Sequence, residues 1–101
     1  MALMQCTIVC KDRMIYTGKV RVIIARGIEG EVGIYPNHIP FMTMLKAGPL
    51  RFVLEDGHEK IGFISGGFLE VQPQMVTVLA DSFMHVNSVQ EALNLAKNQS
   101  A

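Results

Sequence analysis

Turn-forming residues interrupt this chain roughly every eight to twelve positions, and no other feature narrows its fold as much. Short apolar runs lie between the interruptions. Leu3 to Cys10 reads as a strand closing near Asp12 and Arg13. Met14 to Ala25 reads as two strands, or one bent strand, with Gly18 at a bulge or turn. Gly27 to Gly33 forms a turn region in which each of three glycines can supply a positive φ. Pro36 and Pro40 bracket Asn37, His38 and Ile39, and proline cannot donate to a ladder, so this piece lies outside any central strand. Phe41 to Leu45 reads as strand, Lys46 to Pro49 as turn, and Leu50 to Leu54 as strand again. Asp56-Gly57 suits a two-residue hairpin turn, with Ile61 to Ile64 as the return strand. Gly66-Gly67 and Gln72-Pro73-Gln74 turn the chain on either side of Phe68 to Val71, Val76 to Ala80 alternates, and Phe83 to Val86 adds a short last strand. Such a cadence predicts a sandwich or barrel.

Only the tail changes period. Ser88 stands three residues before Glu91, which is capping-box spacing, and Val89, Ala92, Leu93 and Ala96 then recur at helical intervals. The helix predicted there is short enough to be marginal unless it docks on something. The chain therefore divides into a strand domain over 1–86 and the start of a helical segment over 87–101.

A length of 101 residues leaves room for one core. Half the residues are hydrophobic and 18% are charged, against about 25% charged in an average domain. A small domain so short of polar cover leaves apolar surface exposed, which points to a permanent partner. Nine basic and nine acidic residues cancel, and no Lys/Arg cluster is visible. This argues against nucleic acid as the main partner, because phosphate binding needs clustered cations. The longest uncharged apolar run, Val22 to Ala25, is far below the ~20 residues that cross a bilayer. The N-terminus lacks the basic-then-apolar layout of a signal peptide. A cytoplasmic protein, held at a membrane only through something else, is the expectation.

Residues with catalytic or ligating potential are few. Cys6 and Cys10 fall on one strand, ~13 Å apart at ~3.3 Å per residue, which is too far for a disulfide; they are read as reduced, buried thiols. His58 belongs to the hairpin turn and His85 to the last strand, with no third ligand at zinc spacing. His38 has two readings: a turn histidine bonded to a nearby carbonyl, or a contact residue on a rigid loop. Ser65 lacks the glycine two residues earlier that a nucleophile elbow uses. Gly66-Gly67 lacks the GK[ST] ending of a phosphate loop. Glu29 and Glu31 flank Gly30 on a flexed tip that either solubilises the turn or meets arginines on a partner. A hydrolase built on His38 and Asp81, and a free-standing β-sandwich binding module, are the alternatives to a structural subunit.

Two stretches carry a resemblance. Gly30-Glu31-Val32-Gly33-Ile34-Tyr35-Pro36-Asn37-His38, followed by Pro40, is similar to the signature loop of the epsilon subunits of F-type ATP synthase. Ser65-Gly66-Gly67-Phe68-Leu69-Glu70-Val71, continuing through Val76 to Asp81, is similar to the same family's second signature. The resemblance covers residues 3 to 86. It implies a mainly β protein: a flattened sandwich of about ten short strands, with a short helix at the C-terminal end. It also implies a non-catalytic rotor subunit of the central stalk, without bound cofactor or metal, coupling the gamma subunit to the polar loops of the c-ring during proton- or sodium-driven ATP synthesis. Peripheral attachment at the cytoplasmic face of a bacterial inner membrane follows, without insertion. By the same resemblance Glu29, Gly30 and Glu31 face the c-ring. His38, Met42 and Thr43, with the strand carrying Cys10, face gamma, and Gly33, Pro36, Pro40, Gly66 and Gly67 shape the contact loops.

The tail departs from the family pattern. Typical members continue into a two-helix hairpin that brakes ATP hydrolysis, and some bind ATP through an Asp-x-x-Arg-Ala element at its start. Asn87-Ser88-Val89-Gln90-Glu91-Ala92 has neither the Asp nor the Arg. The resemblance therefore implies neither ATP binding nor autoinhibition by this chain.

Overall fold

The computed structural model describes residues 2–11 and 13–100. Its strands are β1 (Met4–Cys10), β2 (Arg13–Gly27), β3 (Gly30–Ile34), β4 (Phe41–Leu54), β5 (Glu59–Val71), β6 (Met75–Ala80) and β7 (Phe83–His85), followed by the helix α1 (Val89–Ser100). Hydrogen bonding runs β1-β6-β5-β4-β2-β3, and a further β1–β2 pairing closes the ring; β7 adds to β5. Among the described residues only β1 and β6 pair in parallel.

The mainly β sandwich with a short C-terminal helix is thus observed. Seven strands are found among the described residues, because β2, β4 and β5 are long and serve both layers. One layer holds the first half of β2, then β1, β6, the second half of β5 and the first half of β4. The other holds β3, the second half of β2, the second half of β4, the first half of β5 and β7. Counted by layer the seven strands give ten segments, the number that the family resemblance implied.

The corners correct the sequence reading at two places. Lys46 to Pro49 and Gly66-Gly67 are not turns; both lie inside continuous strands where the chain crosses between layers. Gly67 sits opposite both Leu45 and Ala80, with φ +156°. A Cβ there would overlap the Leu79 carbonyl oxygen and lie 3.0 Å from Ala80 Cα. Gly18 is not the bulge either. It pairs with Cys6, and the register slips instead at Ile15, Arg21 and Arg26. The Asp56-Gly57 hairpin has three loop residues, since Leu54 N–H donates to His58 O (2.8 Å) and Gly57 N–H to Leu54 O (3.0 Å). Asp56 carboxylate oxygens accept from His58 N–H (3.0 Å) and meet His58 Nδ1 (2.9 Å), which favours this wider loop.

Strict alternation places the core. Cys6 and Ile8 of β1, Val76 and Val78 of β6, Leu69 of β5 and Val20 of β2 point inward and meet Ile23, Leu50, Phe52 and Ile64 from the opposite layer. No polar side chain is buried among the described residues. A second, smaller cluster holds α1: Ala92 and Ala96 pack on Phe63, flanked by Ala47, Val86 and Leu95. The helix begins as its sequence predicts. Glu91 N–H donates to Ser88 Oγ (3.1 Å), and the Glu91 carboxylate accepts from Asn87 N–H (2.9 Å).

Candidate functional site

Inward packing of one set of alternating residues forces the other set outward, and on the β1–β6 layer the outward set is unexpectedly apolar. Met44 pairs with Phe68, Phe68 with Leu79, Leu79 with Val9 and Val9 with Met14. These five residues form one row across five strands, about 19 Å long at ~4.8 Å per strand. Met44 and Met14 are each 56% exposed and Leu79 50%, with Phe68 and Val9 half-buried. The adjoining outward row is Met42, Glu70, Thr77, Thr7 and Thr17, and Met42 at its end is 60% exposed. Leaving this much contiguous apolar surface in water is unfavourable at roughly 25 cal/mol per Å², so the face favours a partner.

One end of this face meets the acidic turn. Glu29, Gly30, Glu31, Met42 and Thr43 line a single hollow of about 200 Å³ with Val32 and Phe41. The turn is anchored by Ile28 N–H donating to Met44 O (3.0 Å). Of the three glycines between Gly27 and Gly33, only Gly30 takes a positive φ (+136°), at the tip. Glu29 and Glu31 are exposed. Residues read as separate groups in the sequence thus share one edge of the sandwich.

His38 lies beside this edge. Its Nδ1 is 3.0 Å from Ile39 O and its ring centroid 5.2 Å from that of Phe41. The ring braces the loop between Pro36 and Pro40, where Asn37 adopts φ +68°. Cys10 occupies the far end of β1. Its thiol is buried and lies 3.8 Å from Asp81 O, so the outward surface of that strand belongs to Val9 and Lys11. Gly33 is exposed within β3, with only Tyr35 Cε1 near its missing side chain, at 3.6 Å.

The structure places His38 and Asp81 apart. Asp81 N–H donates to Gly66 O (2.9 Å), whereas Phe41, next to His38, pairs with Val71. Gly66 and Val71 stand five residues apart on β5, roughly 16 Å at ~3.3 Å per residue, which rules out the His38–Asp81 hydrolase. Ser65 Oγ accepts a hydrogen bond from Ser82 Oγ (2.6 Å). Burial pushes the Cys6 thiol up to about 12, so it stays neutral and unreactive at physiological pH. Among the described residues no three His, Cys, Asp or Glu side chains gather as a metal site, and no helix is long and apolar enough to cross a membrane.

Sequence reasoning missed the apolar row. All five of its members, Met14, Val9, Leu79, Phe68 and Met44, were missed, and only Met42, at the end of the adjoining row, was singled out. The signal was available: Val76 to Ala80 is apolar at positions of both parities, the pattern of a strand covered on both faces.

Comparison with known proteins places this geometry. The family described as the beta-sandwich domain of the ATP synthase delta/epsilon chain matches residues 3–86. An ATP synthase epsilon chain of Acinetobacter baumannii (strain AYE) is 48% identical over 101 residues, all of this chain and 73% of that protein. One from Psychrobacter cryohalolentis is 46% identical over 92 residues, 91% of this chain and 67% of that protein. Among solved structures, a chain of the Euglena gracilis mitochondrial ATP synthase OSCP/F1/c-ring assembly superposes with a TM-score of 0.80 at 25% identity. The match covers 98% of this chain and 65% of that one. A chain from the central stalk and c-ring of the Tetrahymena thermophila enzyme shares the fold at 11% identity, with a TM-score of 0.69 over 96% of this chain and 90% of that one. By sequence and by the closed seven-stranded sandwich alike, this chain belongs to the epsilon-chain family of ATP synthase.

Proposed function

We propose that this chain is a non-catalytic coupling in the rotor, clamped to the gamma subunit and resting on the c-ring at the cytoplasmic face of a bacterial inner membrane. Ion flow, of protons or sodium, turns the ring, and the sandwich locks ring to shaft while other subunits carry the chemistry. The apolar row Met44–Phe68–Leu79–Val9–Met14 is the observation that carries this reading. It is the size and character of surface that a lasting partner covers. His38, Met42, Thr43 and the strand carrying Cys10 border it and join it in facing gamma. Glu29, Gly30 and Glu31 form the acidic tip at the end of that face, next to Met42 and Thr43, and are suited to the c-ring loops, where charge orients more than it binds. The solved relatives drawn from central-stalk and c-ring assemblies support the same placement.

Co-expression with a gamma subunit followed by size-exclusion chromatography tests the proposal. The native chain is expected to elute with gamma. Leu79→Glu, which places a charge in mid-row at a half-exposed position, is expected to fold but elute alone. Co-elution of the variant at native yield defeats the assignment of this face.

A further inference from the structure

The fold sorts the sulfur of the described residues into two populations. Cys6, Cys10 and Met4 are buried. Met75 is half-buried, and the Thr7 hydroxyl donates to its sulfur (3.6 Å). Met14, Met42 and Met44 are each more than half exposed, and all three stand on the outward side of the β1–β6 layer. Met44 and Met14 close the apolar row at its two ends. Met42 precedes Met44 by two residues on β4, about 7 Å away at ~3.4 Å per residue. Met84 is exposed too, but on β7 in the other layer.

A leucine would offer a partner the same kind of apolar surface. A thioether adds flexibility and a sulfur open to oxidation. In that reaction a sulfur lone pair takes one oxygen from hydrogen peroxide. The O–O bond breaks, an S–O bond forms, and the second oxygen leaves as water with both hydrogens. Sulfur gives up two electrons and the peroxide gains them. The thiols do not compete, because both are buried and burial keeps the proton on Cys6, whereas the thiolate is the reactive form.

We propose, resting on the assignment of this face to gamma, that Met14, Met42 and Met44 form an oxidation site through which a hydroperoxide blocks docking of the free chain. The unassembled chain exposes all three thioethers, and a docked gamma would cover them, so the modification acts before assembly. A sulfoxide is polar, and burying one in the contact without a donor weakens docking roughly tenfold. Sulfoxide reductases restore the thioether, so the block is reversible.

The test treats the chain with hydrogen peroxide, removes the peroxide with catalase and only then adds gamma. Peptide mass mapping is expected to find oxygen on Met14, Met42, Met44 and Met84 before Met4. The oxidised chain is expected to bind gamma about tenfold more weakly or worse, and methionine sulfoxide reductase to restore the affinity. A triple variant, Met14→Leu with Met42→Leu and Met44→Leu, is compared with itself before and after peroxide, and a change under about twofold is expected. Met84→Leu is expected to lose affinity on peroxide treatment as the native chain does. Unchanged affinity of the oxidised native chain overturns the proposal, and so does an equal loss in the triple variant. Leu79→Glu separates this site from the reading beneath it. If that variant elutes alone while the oxidised native chain elutes with gamma, the face stands and the oxidation site falls; if the variant elutes with gamma at native yield, both fall.

Discussion

Replacing Gly67 by alanine tests the crossing of β5 between layers in the most direct way. The added Cβ would overlap the Leu79 carbonyl oxygen, with Leu79 C at 3.1 Å and Ala80 Cα at 3.0 Å. All three are backbone atoms of the paired strand β6, so no rotamer change relieves the contact. Strain at φ +156° costs about 1–3 kcal/mol for a residue with a Cβ. Forcing β6 aside costs a further ~1–3 kcal/mol by the measure of overpacked cores. A loss of about 4 kcal/mol is expected, a large part of the roughly 5–15 kcal/mol that holds a domain together. In urea, at about 1.5 kcal/mol per molar, the midpoint falls by about 2–3 M. Gly33→Ala is the control, because its only near neighbour is Tyr35 Cε1 at an ordinary 3.6 Å. That change is expected to shift stability by less than about 1 kcal/mol. If Gly67→Ala unfolds within 1 kcal/mol of Gly33→Ala (about the accuracy of the method), then the strand crossing is not sterically fixed and the reasoning fails.

Further outcomes follow from other sites. Glu31→Lys reverses charge at the exposed tip and is expected to weaken coupling of ion flow to ATP synthesis in the reconstituted complex while leaving the isolated fold unchanged; unaltered coupling counts against the c-ring assignment. Cys6 ionises normally near 9.0 but at about 12 when buried, so it favours the folded state fully below pH 9 and progressively less as pH rises toward 12. Urea midpoints are expected to fall across that window, and Cys6→Ala is expected to flatten the fall; an equal slope in both proteins contradicts the burial argument. Ser88→Ala removes the hydrogen bond to Glu91 N–H and is expected to cost the helix about 1 kcal/mol. Faster amide exchange at Ala92 to Ala96, with the strands unchanged, is the signature; uniform acceleration would instead mean that helix and sandwich unfold together.

How far the sequence spoke depended on whether a feature was local. Cap, hairpin and proline loop use contacts within a few residues, so Ser88–Glu91, Asp56–His58 and Pro36–Pro40 were legible. So was the alternation in β1 and β6. The crossings at Lys46–Pro49 and Gly66–Gly67 were not, because a glycine at a corner and a glycine at a turn look alike until the partner strand is known. Gly18 misled for the same reason: its small size makes room for Tyr16, whose hydroxyl oxygen would stand 2.6 Å from a Cβ there, and not for a bulge. The docking face required the register of five strands at once. Each of its residues is unremarkable alone, and only the pairings bring Met44, Phe68, Leu79, Val9 and Met14 into a row.

Three strands that each belong to both layers have a mechanical corollary. In a stack of two separate sheets, a sideways force is resisted only by side-chain contacts, and the stack has a slip plane. Here that plane is stitched by covalent backbone at the corners of β2, β4 and β5. A twist applied to the apolar face would reach the acidic tip through peptide bonds and ladder hydrogen bonds, with little lost to sliding.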